Sequence, residues 1–280
     1  TRPWEVDLLP LVLGADEWQW LSKAVAQRAE LLDSVLGDLY GEQALLKEGL
    51  MPPALVYGQA GFQWPCQGIQ PVSGRFLHLY AVDLARAPDG GWWVMADRTQ
   101  APSGAGYALQ NRLVISRAFP APFHNLPVTN LAEFFQGFQN SLASMSPARN
   151  ETALCVLLTP GRFNETYFEH VFLARYLGLP LVEGQDLTVR DDTVYLKTLQ
   201  GLRRVHAIYR RLDDGFCDPL ELRADSVLGI PGLLGAVRAG KVLMANALGS
   251  GVLESAALFG FLPEISKKLL GSPLAMPSVA

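Results

Sequence analysis

Three polar clusters in this sequence have residue types that could do chemistry, and each follows a short apolar run. After Leu158 come Thr159, Arg162, Asn164 and Glu165; after Tyr209 come Arg210, Arg211, Asp213 and Asp214; after Ala245 come Asn246, Gly249, Ser250 and Gly251. Arginine at such places suits carboxylate or phosphate, because its planar fork matches paired oxygens. In parallel α/β sheets ligands bind at the carboxyl ends of the strands, so three loops of this kind on parallel strands predict one ligand site. The alternative is that the loops only cap helices and turn the chain.

A fourth group lies earlier, in a predicted hairpin carrying Asp83, Arg86 and Asp97. If residues 83 and 97 are directly paired, their carboxylates share a face about 5 Å apart and suit one Mg²⁺. A register shift of one residue would put them on opposite faces. The alternative makes Asp83 and Asp97 strand-end acids paired with Arg86 and Arg98. Next comes Arg98-Thr-Gln-Ala-Pro-Ser-Gly-Ala-Gly-Tyr107, where Ser103, Gly104 and Gly106 precede a helix and could turn backbone N–H groups toward an anion. It lacks the lysine of a Walker loop, and Leu109 stands where a dinucleotide fingerprint needs its third glycine.

Other reactive residues are less pointed. Asp213–Asp225 holds five acids without the spacing of a calcium loop, and reads as a solvated, turn-rich segment. His78, His124, His170 and His206 show no metal spacing. Around Ser250 there is no nucleophile elbow, since Leu248 stands where glycine is needed.

These residues need elements to position them. Trp18, Leu21, Val25, Ala29, Leu32, Leu36 and Leu39 step by three or four and predict a helix over 16–39. A short helix should end near Gly49, before Pro52-Pro53. Leu55-Val-Tyr57 reads as a short strand, and Arg75–Arg86 and Trp92–Asp97 as two strands joined by the turn Pro88-Asp-Gly-Gly91. Helices follow over Gly104–Phe119 and over 130–144. In the second, Asn130 and Glu133 resemble a capping box, and Leu131, Phe134, Phe135, Phe138 and Leu142 form the buried face.

The second half changes character. Ala153–Leu158 is a continuous apolar run, as in a strand covered on both faces. With a helix ending at Gly178 and a strand from Leu181 it makes a βαβ unit, hence parallel strands. A hairpin at Asp186–Lys197, strands at Val205–Arg210 and Val242–Ala247, and a helix between Pro231 and Gly240 complete the pattern. The fold class is α/β. Residues 1–145 form a helical and β-hairpin part, residues 150–280 a Rossmann-like parallel-sheet part, and Ser144–Glu151 the linker.

Composition sets the outer bounds. The 280 residues are 49% hydrophobic and 18% charged, ample for a packed core. A net charge of -4 without clustered Lys and Arg argues against nucleic acid. Cys66, Cys155 and Cys217 are far apart, odd in number and form no CxxC, which points to a reducing, cytoplasmic compartment, and Cys155, in an apolar strand, reads as a buried thiol. No apolar run approaches the roughly 20 residues that span a bilayer. The absent initiator Met and the open end at Ala280 predict a piece of a longer chain.

Several longer segments together resemble a known family. They are Asp83-Leu-Ala-Arg86, Ala96-Asp-Arg-Thr-Gln-Ala-Pro-Ser-Gly104, Leu157-Leu-Thr-Pro-Gly-Arg-Phe-Asn-Glu-Thr-Tyr-Phe-Glu-His170, Val182-Glu-Gly-Gln-Asp-Leu187, Ile208-Tyr-Arg-Arg-Leu-Asp-Asp214, Leu228-Gly-Ile-Pro-Gly-Leu-Leu234 and Ala245-Asn-Ala-Leu-Gly-Ser-Gly251. The sequence resembles circularly permuted ATP-grasp proteins of type 2, related to glutathionylspermidine synthase and, more distantly, glutathione synthetase. The resemblance implies ATP- and Mg²⁺-dependent ligation of a small-molecule or peptide carboxylate to an amine through an acyl phosphate. It implies metal near Asp83 and Asp97, phosphate at Arg86, and a substrate carboxylate at Arg210 and Arg211. It also implies a substrate loop at Ser103 and Gly104. The remaining acyl-substrate contacts would come from Asn164, Glu165, Asp213, Asp214, Asn246 and Ser250.

Two departures qualify that picture. Many relatives carry Glu-Asp-Asn where this chain has Ala96-Asp97-Arg98, so two oxygen ligands become a methyl and a cation. Relatives also continue past the position of Ala280 into the glycine-rich phosphate loop and its lysine. The expectation is therefore an incomplete ATP-grasp ligase, inactive alone. The alternative is a non-catalytic peptide- or nucleotide-binding descendant with an eroded metal site, and a third possibility is an assembly partner presenting an apolar patch.

Overall fold

A computed structural model describes Glu5, Asp7 and residues 10–279. In chain order the elements are α1 (Ala15–Leu39), α2 (Ala44–Lys47), α3 (Ala54–Tyr57), β1 (Ala81–Arg86), β2 (Trp92–Arg98), α4 (Ala105–Ala118), α5 (Pro120–Asn125) and α6 (Ala132–Ser144). The second half adds β3 (Cys155–Leu158), α7 (Tyr167–Tyr176), β4 (Leu181–Val182), β5 (Leu187–Arg190), β6 (Thr193–Thr198), β7 (Gly201–Arg204), β8 (Ala207–Arg210), α8 (Leu233–Arg238), β9 (Leu243–Ala245) and α9 (Leu262–Leu270).

The apolar strands of the second half form one parallel sheet in the order β4-β3-β8-β9. Alternation of side chains divides it between two cores. Val156, Leu158, Val182, Ile208 and Met244 point to a core shared with α1. Cys155, Leu157, Ala207, Tyr209, Leu243 and Ala245 point to a second core, with Leu109 of α4, Phe135, Phe138 and Leu142 of α6, and Leu173 of α7. Each core thus draws on residues before 145 and after 150. In chain order the sheet reads second, first, third, fourth, so the direction of winding reverses between β3 and β8. Such a reversal opens a crevice at the strands' carboxyl ends.

Helix α1 is as long as its periodicity predicts, but its buried stripe is rotated. Leu21, Ala24, Arg28, Leu31, Leu32, Val35, Leu36 and Leu39 are buried, whereas Trp18 is exposed. An arginine at the centre of that stripe is the unexpected member. In α6, Phe134 is likewise exposed, and Asn130 accepts the Ala132 N–H at 2.9 Å with no capping box formed.

Local departures have clear causes. Leu55-Val-Tyr57 is a helical turn, because Pro52 and Pro53 supply its first carbonyl acceptors while lacking N–H groups of their own. The strand expected from Arg75 pairs only from Ala81. Before it, Phe76 and Leu77 donate to Asp33 Oδ1, and His78 and Leu79 donate to Asn246 Oδ1, so side chains take the place of a partner strand. Three elements lie outside the periodicity-based expectations: α5, α9, and β7, an arginine-bearing edge strand on the antiparallel sheet β5-β6-β7. Asp213–Asp225 is less solvated than its composition suggests, since Asp214 and Asp218 are buried. Asp218 accepts the N–H groups of Leu220, Gly232 and Leu234, fixing the entry to α8.

Candidate functional site

Residues 99–106 leave β2 and run across the carboxyl ends of three parallel strands. At β9, Thr99 Oγ1 donates to the Ser250 carbonyl at 2.7 Å, and the Thr99 carbonyl accepts from Asn246 Nδ2 at 2.7 Å. The N–H groups of Thr99 and Gln100 both donate to Glu254 Oε1. At β8, Gln100 Oε1 accepts the Asp214 N–H at 2.7 Å, and Arg211 Nη1 donates to the Pro102 carbonyl. Beyond β3, Glu169 Oε1 of α7 accepts the Gly104 and Gly106 N–H groups, each at 2.8 Å. The glycine loop therefore gathers these N–H groups around the chain's own Glu169 side chain and does not offer them to a ligand, which corrects the expectation for Gly104 and Gly106. A Cβ on residue 106 would stand 2.8 Å from Glu169 Cγ, so only glycine lets the loop close this far.

Under that loop lies a buried charged layer. Glu169 and Arg211 are both buried and 3.6 Å apart, Oε2 to Nη2. Glu169 Oε2 and Arg211 Nε have no hydrogen-bond partner among the described residues. His170 is also buried, with Nδ1 2.9 Å from Thr159 Oγ1 and Nε2 3.0 Å from Thr166 Oγ1. Burial, with the Arg211 charge second, pulls its pKa down to about 3, so the imidazole is neutral.

The predicted residues separate into three groups. Arg210 is fully buried and its guanidinium is occupied within the chain. Nε donates to the Asn246 carbonyl, Nη1 to Leu212, and Nη2 to the Ala247 carbonyl and Ser250 Oγ. It fastens β8 to the loop after β9 and does not present a fork to a ligand, which corrects the expectation for this arginine. Asn246 and Ser250 are buried in the same network, and all of the Asn246 amide is used on His78, Leu79 and Thr99. Asp214 accepts from the N–H groups of Gly215, Gly249 and Gly251, and burial raises its pKa against the opposing Arg210 charge. Ser103, Glu165 and Asp213 are exposed on loops after β2, β3 and β8, and Asn164 is half-buried, closing a turn by accepting from the Thr166 N–H and hydroxyl. Arg86 is at the turn end of the hairpin, paired with Glu17 at 3.1 Å and stacked over Trp92.

The proposed acidic metal pair is not formed. Residue 82 opposes Asp97, and Asp83 opposes Ala96. The one-residue offset puts the two carboxylates on opposite faces. Asp97 points inward, where Arg28 Nε and Nη2 grip Oδ1 and Oδ2 at 2.7 and 2.8 Å and Tyr80 donates to Oδ1. Asp83 points outward to Arg98. Among the described residues no group of three or more His, Cys, Asp or Glu side chains could hold a metal ion, and Asp83 and Asp97 offer Mg²⁺ no shared pair of carboxylates. Nor is any described helix long and apolar enough to cross a membrane.

Glu169, Gln100, Glu254 and Arg28 were not foreseeable as members of these networks from local pattern. Glu169 alone left a trace: an acid on the apolar stretch of α7, flanked by His170 and Phe168.

The family model for circularly permuted ATP-grasp type 2 matches residues 10–280. The chain belongs to this family. An uncharacterized protein of Mycobacterium tuberculosis is 43% identical over 273 residues, covering 97% of this chain and 31% of the relative. One from Synechocystis is 40% identical over 264 residues, covering 94% of this chain and 55% of the relative. One from Mycobacterium leprae is 39% identical over 269 residues, covering 96% and 48%. The chain thus spans between about a third and just over half of these ATP-grasp relatives.

Proposed function

We propose that the protein acts in ATP-dependent ligation of a small-molecule or peptide carboxylate to an amine, with this chain supplying the acyl-substrate side. The observation that carries the reading is the path of residues 99–106 across the carboxyl ends of β3, β8 and β9, in a chain of the ATP-grasp family. Exposed Ser103, Glu165 and Asp213, with half-buried Asn164, would line the mouth of the cleft. Arg211 beneath them would supply positive charge toward a substrate carboxylate, and Glu169 would hold the glycine loop against it. ATP and Mg²⁺ are implied by the family alone. Since Asp83 and Asp97 do not form a metal pair, no step is assigned to either group here.

A second reading is a non-catalytic family member that binds a peptide or nucleotide. It is favoured by one observation: both candidate metal carboxylates carry an arginine on them, Arg28 on Asp97 and Arg98 on Asp83. ADP release by the whole protein, with Mg²⁺ and panels of amino acids, polyamines and peptides, separates the two. Acceptor-dependent ADP release that falls on Arg211→Ala supports the ligase. Absence of ADP release with every acceptor, and of Mg·ATP binding by calorimetry, would sink it.

A further inference from the structure

The outer face of the β1–β2 hairpin carries a charge arrangement that the sequence alone does not reveal. Directly opposed residues of an antiparallel pair share a face, and neighbours along each strand alternate. The register Ala81↔Arg98, Val82↔Asp97 and Asp83↔Ala96 therefore puts Ala81, Asp83, Ala96 and Arg98 together outside, and Asp97 inside. Those four outer residues hold one carboxylate. Arg98 closes on it, with Nη2 at 2.7 Å and Nε at 3.2 Å from Asp83 Oδ2. Asp97 cannot turn to join them, because Arg28 and Tyr80 hold both its oxygens in the core.

We propose that Arg98 stands in for a divalent cation on Asp83, making this face of the hairpin a metal-independent ion pair. The inference rests on the second reading of function and sharpens it to named residues. Mg²⁺ binds through carboxylates and other hard oxygens in a near-octahedral shell. Here the position facing Asp83 offers a methyl group, and the next position on that face offers a positive charge already bonded to the carboxylate. A divalent ion would have to displace a guanidinium and then lie beside it.

Mn²⁺, followed by its paramagnetic resonance signal with and without ADP, tests this on the whole protein. The wild type and Asp83→Asn are expected to bind Mn²⁺ alike, whether or not other residues hold some. A96E/R98N is expected to gain a site at least about tenfold tighter than any wild-type site at this hairpin, and adding D83N is expected to remove it. The proposal is overturned if D83N weakens Mn²⁺ binding by the wild type, or if a folded A96E/R98N binds no better than wild type. Should that double variant fail to fold, the comparison of wild type with D83N still decides. ATP turnover supported by metal held elsewhere would leave the inference standing. Asp83-dependent Mn²⁺ binding would end it even without turnover.

Discussion

Two arginine–carboxylate pairs are buried among the described residues, and they are built differently. On the inner face of the hairpin, Arg28 grips Asp97 as a two-toothed fork, with Tyr80 as a third donor and the Phe259 ring 5.2 Å from the guanidinium carbon. There burial is the largest single effect and lowers the Arg28 pKa, but Asp97 and Tyr80 together outweigh it and raise the pKa. At the strand ends, Glu169 and Arg211 stand 3.6 Å apart; among the described residues both keep a buried polar atom without a partner, whereas in the first pair only Arg28 Nη1 does. The first pair is matched in geometry and serves the packing of α1 on β2. The second leaves polar capacity unused at a crevice where three strand ends converge. Both pairs are buried and both leave a polar nitrogen unfilled, so what sets the second apart is its place, where three strand ends converge.

The largest test of this contrast is at Arg28. Arg28→Met should destabilise the protein by about 3–5 kcal/mol, read as a lower urea midpoint, because it strands a buried carboxylate. R28M/D97L, which removes both charges, should cost less than either single change. A double variant as unstable as the sum would mean the pair has a role beyond matching itself.

A smaller loss is expected from Gly106→Ala, about 1–3 kcal/mol, since the added methyl collides with Glu169 Cγ. An unchanged melting temperature would show that the loop moves freely off Glu169, and that the junction is looser than its geometry implies.

His170 gives a pH test of the same layer. Its folded pKa of about 3 lies below the unfolded value near 6.5, so between those limits the unfolded chain binds the extra proton. Its contribution is fully present above pH 6.5 and is lost as pH falls, with a slope of at most about 1.4 kcal/mol per pH unit. His170→Asn should flatten the stability profile below pH 6.5, measured by urea titrations at a series of pH values. A profile parallel to wild type would mean that His170 titrates normally in the folded protein.

The smallest effect belongs to the outer pair. Arg98→Ala should change stability by no more than about 1 kcal/mol, because both side chains are half-exposed. A larger loss would put Arg98 in the same class as Arg28.

Much of the scaffold was legible because strong periodicities carry it. The run Ala153–Leu158 announced a doubly covered strand, and β3 is buried at all four positions. The strand-end loops were also legible, since polar residues after apolar runs mark where a sheet meets solvent. What those side chains do was not. Arg210 and Arg211 are neighbours of one type, yet one is saturated by carbonyls and the other faces Glu169. That difference comes from where β9 and α7 fall in space. The hairpin failed by one residue for a local reason: Met95 is an extra residue in β2, opposite the step from Asp83 to Leu84, and turn chemistry gives no sign of it.

The two cores are each assembled from both ends of the sequence. Cleavage in the polar segment between Ser144 and Glu151 should therefore not release two fragments. A nicked molecule would be expected to travel as one particle until denatured, and the two pieces, mixed from denaturant, to regain structure only together. The fold would then serve as a split reporter, its reassembly requiring that α1, α4 and α6 all find the same four-stranded sheet.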